Sequence, residues 1–194
     1  MESAISGFVG VIIGALIAVF KEYYFQKKKD QKDARYLSAL VSFELERYAS
    51  LCADVVGDNG LCQGQPDERG YSRTQVNIPK FEPLLIKGEW TTLPTGLMYE
   101  ILDLPHHAEV ANSKIDSVFE NDNPPDWSYG FEERQHQYAN LGIKALMLSE
   151  KLKLQAGFPK RADNRWTPMN FMVERLSEIE KNRFEASQRA MSSY

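Results

Sequence analysis

The sequence has few of the residues that most enzyme and metal sites require. Its 194 residues include only two cysteines and three histidines, which is too few cysteines for a disulfide-stabilised scaffold and leaves few groups for acid–base or metal chemistry. It contains no phosphate-binding glycine loop, G-x-S-x-G elbow, C-x-x-C pair or H-E-x-x-H helix. These absences favour a non-enzymatic protein that needs no cofactor.

The sequence also lacks an excess of positive charge. Its formal net charge is −4, and the basic residues outside 21–35 are scattered among carboxylates, so they form no stripe that could follow a phosphate backbone. We therefore expect no nucleic-acid partner. With 43% hydrophobic and 26% charged residues, the composition is typical of a globular protein, and the length is that of one main domain.

The N-terminal region contains a long run without charge. No charged residue lies between Ser3 and Phe20, and as a helix these residues would span about 27 Å, close to the hydrocarbon thickness of a bilayer. Three aromatic residues follow at 23–25, as is typical of a membrane–water interface. A cleaved signal peptide would need a basic start and a small-x-small cleavage site. Because the sequence has neither, it predicts an uncleaved transmembrane anchor over residues 1–25.

A basic juxtamembrane segment follows the anchor at residues 26–35. Residues 21–35 have a net charge of +3, and the positive-inside rule places such a flank in the cytoplasm. We therefore expect a single-pass protein of the inner or plasma membrane, with its N-terminus outside and the bulk of the chain cytoplasmic. These cations can also bind anionic headgroups, so the pattern leaves open whether they only set topology. They are Lys21, Lys27, Lys28, Lys29, Lys32 and Arg35.

Within the predicted anchor, small residues recur at every fourth position. Ser6, Gly10, Gly14 and Ala18 fall along one side of a helix and permit close approach of a second membrane helix. Besides the lipid bilayer, the pattern suggests a second copy of the chain or another membrane protein as partner. Small residues are common in membrane helices for other reasons, so the sequence alone leaves self-association open.

Residues 36–194 have the apolar periodicity of amphipathic helices, without β-type alternation. The sequence therefore predicts an all-α fold, in which the single transmembrane helix continues into a cytoplasmic bundle of about four helices. A polar loop is expected at 57–79. The predicted helices are one that ends at Gly57, one that Pro105 either kinks or splits near Leu104, one over 129–156, and one that starts at Thr167-Pro168 and frays beyond Arg183.

Two carboxylate–histidine pairs provide the alternative function. Glu133 and His136 lie three residues apart on one predicted helix, and Asp103 and His106 have the same spacing on another. Two such pairs, with a glutamate from each of two further helices, hold the metals of ferritin-like proteins. Against this reading, one pair has Asp in place of Glu, and Pro105 interrupts its spacing. The first prediction is a non-catalytic interaction or accessory protein of a membrane complex, and the second is a membrane-attached di-metal carboxylate enzyme.

Overall fold

The computed structural model describes residues 2–159 and 167–192, with side chains from residue 16 onward. Within these ranges the chain forms α-helices and two short 3-10 turns and contains no β-sheet. The predicted all-α helical bundle is therefore confirmed. The helices are α1 (Glu2–Gly57), α2 (Thr95–Leu102), α3 (Leu104–Asn121), α4 (Ser128–Gln155) and α5 (Pro168–Ser192), and the 3-10 turns are Pro83–Leu85 and Trp90–Thr92.

Helix α1 is a single uninterrupted element of 56 residues, which corresponds to about 84 Å. Its C-terminal part belongs to the bundle, where Leu37, Val41 and Leu45 are fully buried. Every residue from 16 to 32 is exposed, so this part of α1 projects beyond the bundle. The prediction that one helix runs through the basic segment and ends at Gly57 is confirmed.

Helix α4 is the centre of the bundle and packs against α1, α3 and α5. It runs antiparallel to α1, because Ser149 donates a hydrogen bond to the Ser42 carbonyl at 3.3 Å, whereas Arg134 reaches Asp58 just beyond the end of α1. The apolar stripe predicted for this helix is buried throughout. It consists of Tyr138, Leu141, Ala145, Leu148 and Leu152.

The ends of the remaining helices follow local sequence signals. Pro105 lies in the first turn of α3, where its missing N–H costs no hydrogen bond, and the predicted split near Leu104 is confirmed. At the start of α5, the Thr167 hydroxyl accepts a hydrogen bond from the Asn170 N–H at 3.2 Å, the geometry of an N-cap.

The prediction that α5 frays beyond Arg183 is wrong, because the helix continues to Ser192. Arg183 donates hydrogen bonds to Glu132 and Glu133 of α4, each at 2.8 Å. These contacts attach α5 to α4 beyond the last residue of its apolar stripe. Residues 180–192 are nevertheless exposed, so α5 extends beyond the end of the bundle opposite to the projecting part of α1.

Across the described part of the chain, no helix contains a stretch both long and apolar enough to cross a membrane. Most of the predicted anchor lies in residues 1–15, outside the described side chains. The same is true of Ser6, Gly10 and Gly14. Ala18 of the small-residue stripe is described, and it is exposed.

Candidate functional site

The projecting part of α1 exposes large apolar side chains to solvent. Leu16, Ile17, Val19 and Phe20 are 62–73% exposed, and the aromatic residues at 23–25 are 50–63% exposed. We call residues 16–25 the apolar segment. Apart from Lys21 and Glu22, the segment is apolar on all sides, and a helix of that kind is normally enclosed by a protein core or by lipid.

The six predicted basic residues form a collar around α1, and all of them are exposed. Two contact the aromatic residues one turn away: the Lys21 ammonium lies 5.9 Å from the ring centre of Phe25, and that of Lys28 lies 5.0 Å from the ring centre of Tyr24. Such cation–π contacts keep the aliphatic stems along the helix while the charged ends stay in water. The collar residues other than Lys21, at 27–35, lie between the apolar segment and the first fully buried residues of the bundle.

A fixed distance separates the apolar segment from the bundle core. Among the side chains of α1 that the structure describes, Leu37 is the first to be fully buried, and it lies twelve positions after Phe25. At the rise of an α-helix, the core begins about 18 Å beyond the apolar segment.

A second exposed apolar surface lies along α1 within the bundle. The segment 80–87 runs beside α1 and leaves a groove of about 380 Å³, which we call the α1 groove. Tyr48 and Phe81 pack together at its base, with ring centres 5.6 Å apart. Five large apolar side chains in and around the groove are exposed: Tyr36, Phe43, Leu51, Leu84 and Leu85.

The polar loop predicted at 57–79 is fixed by a buried ion pair, which we call the Asp58 clasp. The Arg134 guanidinium lies 2.9 Å from the Asp58 carboxylate, and the two side chains are 2% and 1% exposed. The same carboxylate accepts backbone N–H bonds from Gly60, Gln75 and Val76 at 2.8–3.0 Å. Burial raises the pKa of Asp58, but these donors and Arg134 together bring it below its ordinary value.

The Asp58 clasp extends to α5 through a second polar side chain of α4. Gln135 is buried, and its amide donates to the Asp58 carbonyl at 2.9 Å. Its side-chain oxygen accepts two hydrogen bonds from Arg175 of α5, at 2.8 and 3.1 Å. The loop and two helices are thus joined at one point. Sequence reasoning missed this network, because Arg134 and Gln135 read as ordinary polar positions of an amphipathic helix.

The structure does not bring the two carboxylate–histidine pairs together. Gly130 lies against Phe119, and Tyr138 donates a hydrogen bond to Asn112 of α3. Glu133, between these contacts on α4, is therefore about 15 Å along α3 from His106. In the other pair, Asp103 contacts His107, at 3.1 Å, instead of the predicted His106. Among the described residues, no three His, Cys, Asp or Glu side chains are placed to hold one metal ion.

Glu133 and His136, the pair on α4, make ionic contacts with α5. Glu133 accepts hydrogen bonds from Arg183 at 2.8 Å and from Gln137 at 2.6 Å. His136 lies 3.9 Å from Glu180, and its pKa is lowered by burial and by the nearby Arg183 charge. Glu133 and His136 share one face of α4, as their spacing predicts, and both contact α5, whose Arg183 binds Glu132 and Glu133.

The two cysteines differ sharply in environment. Cys52 is buried between α1 and its neighbours, and burial raises the pKa of its thiol to about 12. Cys62 is exposed in the loop, and both thiols are free. At neutral pH, Cys62 is therefore the accessible thiol, whereas Cys52 is a packing residue.

No protein-family model, curated protein or solved structure matches this chain. The apolar segment, the basic collar and the α1 groove are the features of its surface that call for a partner.

Proposed function

We propose that this chain is a single-pass membrane protein whose cytoplasmic helical bundle docks other proteins as a non-catalytic interaction or accessory subunit. The observation that carries the proposal is the apolar segment, which projects from the bundle on the same continuous helix. Residues 1–25 would span the bilayer, with the basic collar at its cytoplasmic surface.

The energetics of the apolar segment support a lipid environment. Removing one large aliphatic or aromatic side chain from water is favourable by about 1.5–3 kcal/mol. Four such side chains gain none of this free energy from the bundle, because they contact no part of it that the structure describes: Leu16, Ile17, Val19 and Phe20. The uncharged run that begins at Ser3 extends the same apolar character to the length of a bilayer.

The distribution of charge supports the proposed orientation. Each collar cation would contribute about 1 kcal/mol at an anionic surface. Residues 36–194 have a net charge of −6, which the same surface would repel. The separation of about 18 Å exceeds the Debye length of about 8 Å at physiological salt, so α1 holds the acidic bundle beyond most of that repulsion.

The role of the bundle follows from its surface. Glu133 and His136 make ionic contacts with α5, Asp103 contacts His107, and the α1 groove presents apolar side chains suited to another protein. The stripe of Ser6, Gly10, Gly14 and Ala18 would let the anchor pack against a second membrane helix. The proposed partners are the bilayer and either a second copy or another membrane protein, with no cofactor and no nucleic acid.

Membrane flotation of the full chain tests the proposal. Replacing Ile12 and Ile13 by Asp puts two charges at the middle of the uncharged run, at a cost of about 2.5–3.5 kcal/mol each. We expect the wild type to float with membranes after an alkaline wash and the I12D/I13D variant to remain in the dense fractions.

The matched control carries the same two charges on the bundle. Leu84 and Leu85 are 83% and 73% exposed, so the L84D/L85D variant should fold and float like the wild type. A wild-type chain that stays in the dense fractions, or an I12D/I13D variant that floats equally well, would contradict a transmembrane anchor.

A further inference from the structure

One face of α1 stays uncovered from the apolar segment to the end of the bundle. Five turns of an α-helix take 18 residues, so Ala18 and Tyr36 lie on one line along α1. Phe25 and Phe43 are 18 residues apart and lie within about 20° of that line at 100° per residue. All four are exposed. We call this the outward face of α1.

Around Tyr36 and Phe43 the outward face is apolar. These two side chains are 64% and 65% exposed, and Phe43 lines the α1 groove together with Leu85, which is 73% exposed. Soluble monomers rarely leave apolar side chains of this size clustered in water. The cluster is therefore expected to be covered by another molecule.

The outward face has the shape that pairing with itself requires. A two-fold interface uses the same patch on both copies, so the patch must contain both projecting and recessed parts. Phe43 and Tyr36 project from α1, and the α1 groove is recessed immediately beside Phe43. Side chains of one copy could thus enter the groove of the other, and vice versa.

The charges near the groove also permit self-pairing. Glu44 and Arg47 form an ion pair at 2.8 Å, and Lys80, Glu82 and Lys87 add both signs along the opposite wall. This balance contrasts with the bundle as a whole, whose net charge of −6 would oppose the approach of two copies elsewhere. Lys29 and Lys32 of the collar also fall near the outward face, where anionic headgroups would neutralise them.

A shared membrane would align two such faces. Two anchored copies are parallel and at the same height, so equivalent residues of their α1 helices lie opposite each other, and confinement to one surface raises their effective concentration. We propose that the outward face of α1 is a parallel homodimer interface, in which Tyr36 and Phe43 of one copy pack against the α1 groove of a second copy. This inference rests on the membrane anchor proposed above.

Cysteine cross-linking in native membranes tests the interface. In a Cys62→Ala background, Cys52 stays buried and unreactive, so each introduced cysteine reports alone. Lys29 lies near the centre of the outward face, whereas Lys27 lies on the opposite side of the same exposed helix, which makes K29C and K27C a matched pair. We expect K29C, Y36C and F43C to give at least fivefold more dimer than K27C upon mild oxidation, at twice the 22.2 kDa of one chain.

Each other outcome would overturn the inference. Equal cross-linking of K27C and K29C would indicate random collision. Cross-linking of K29C without F43C would indicate a dimer held by the anchor alone. A F43C product of another mass would identify a different protein as the occupant. Because the assay uses chains already recovered in the membrane fraction, a failure of the anchor appears beforehand as absence from that fraction and is distinguishable from a failure of the dimer.

Discussion

Arg134 and Asp58 are 76 residues apart in the sequence, yet their side chains meet inside the bundle and organise the loop between α1 and the following segment. Nothing local predicts the pair. An arginine among Glu132, Glu133 and His136 reads as part of a solvated helix face, and Asp58 reads as part of the Gly-Asp-Asn-Gly stop signal. Only the antiparallel packing of α1 on α4 brings the two charges together, and that packing is a long-range property.

Removal of Arg134 should be far more costly than removal of an exposed arginine. Met keeps the unbranched stem but not the charge, so R134M would leave the Asp58 carboxylate buried without its cation, with an expected loss of about 3–5 kcal/mol in unfolding free energy. R47M is the matched control, because the Arg47–Glu44 pair is exposed and worth about 0–1 kcal/mol. Denaturant unfolding of the full chain in detergent, followed by tryptophan fluorescence, measures both. Equal losses in the two variants would show that the clasp is not a stabilising element.

Glu133 and His136 show what spacing along a helix can and cannot predict. The spacing of Glu133 and His136 correctly places them on one helix face, because that relation is a matter of helical geometry alone. This spacing does not predict which residues of other helices contact the pair. In the structure they are Arg183 and Glu180 of α5. The metal alternative depended on contacts between helices that spacing within a helix does not specify.

At the scale of the elements, the sequence predicts the helix bounds correctly where they depend on residues close to the helix end. The helix predicted at 129–156 is found at Ser128–Gln155, and the end of α1 and the start of α5 lie where Gly57 and Thr167 indicate. The extent of α5 was underestimated, because the helix continues past its apolar stripe with the Arg183 contacts to α4 and the Arg189–Glu185 pair within its last turns. The α1 groove was also missed, since it forms between α1 and an irregular segment without periodicity.

Two glycine-to-alanine substitutions test how closely α4 packs against α1 and α5, one at the contact and one as a control on α2. An added Cβ at Gly142 would lie 2.9 Å from the Cys52 Cβ and also meet the Met172 sulfur, and overpacking of this kind costs about 1–3 kcal/mol. At Gly96 of α2 nothing lies within 4 Å of the added atom, so alanine should gain up to about 1 kcal/mol from helix preference. We expect G142A to lower the free energy of unfolding and G96A to raise it. A stabilised G142A variant would contradict the close contact of α1, α4 and α5.

At the scale of the whole molecule, the average composition conceals three regions of different charge. An uncharged run, a collar of +3 and a bundle of −6 follow one another along the chain. The structure adds their spatial relation: the apolar segment stands clear of the bundle on α1, while α5 extends from the opposite end. The collar connects the apolar segment to the bundle, and its last residue, Arg35, lies 5.8 Å from the ring centre of Phe158. On the proposed function, the bundle lies on the cytoplasmic side of a membrane that α1 enters.

Cys62 reports that geometry most directly, because it is the exposed thiol on the bundle side of the collar and Cys52 is buried. Sealed membrane vesicles of both orientations, washed with high salt, are treated with a membrane-impermeant maleimide, and a C62S variant controls for labelling elsewhere. The account predicts that the chain stays with the washed vesicles and that Cys62 is labelled in inside-out vesicles but protected in right-side-out ones. Loss of the chain in the wash, or labelling in right-side-out vesicles, would contradict it.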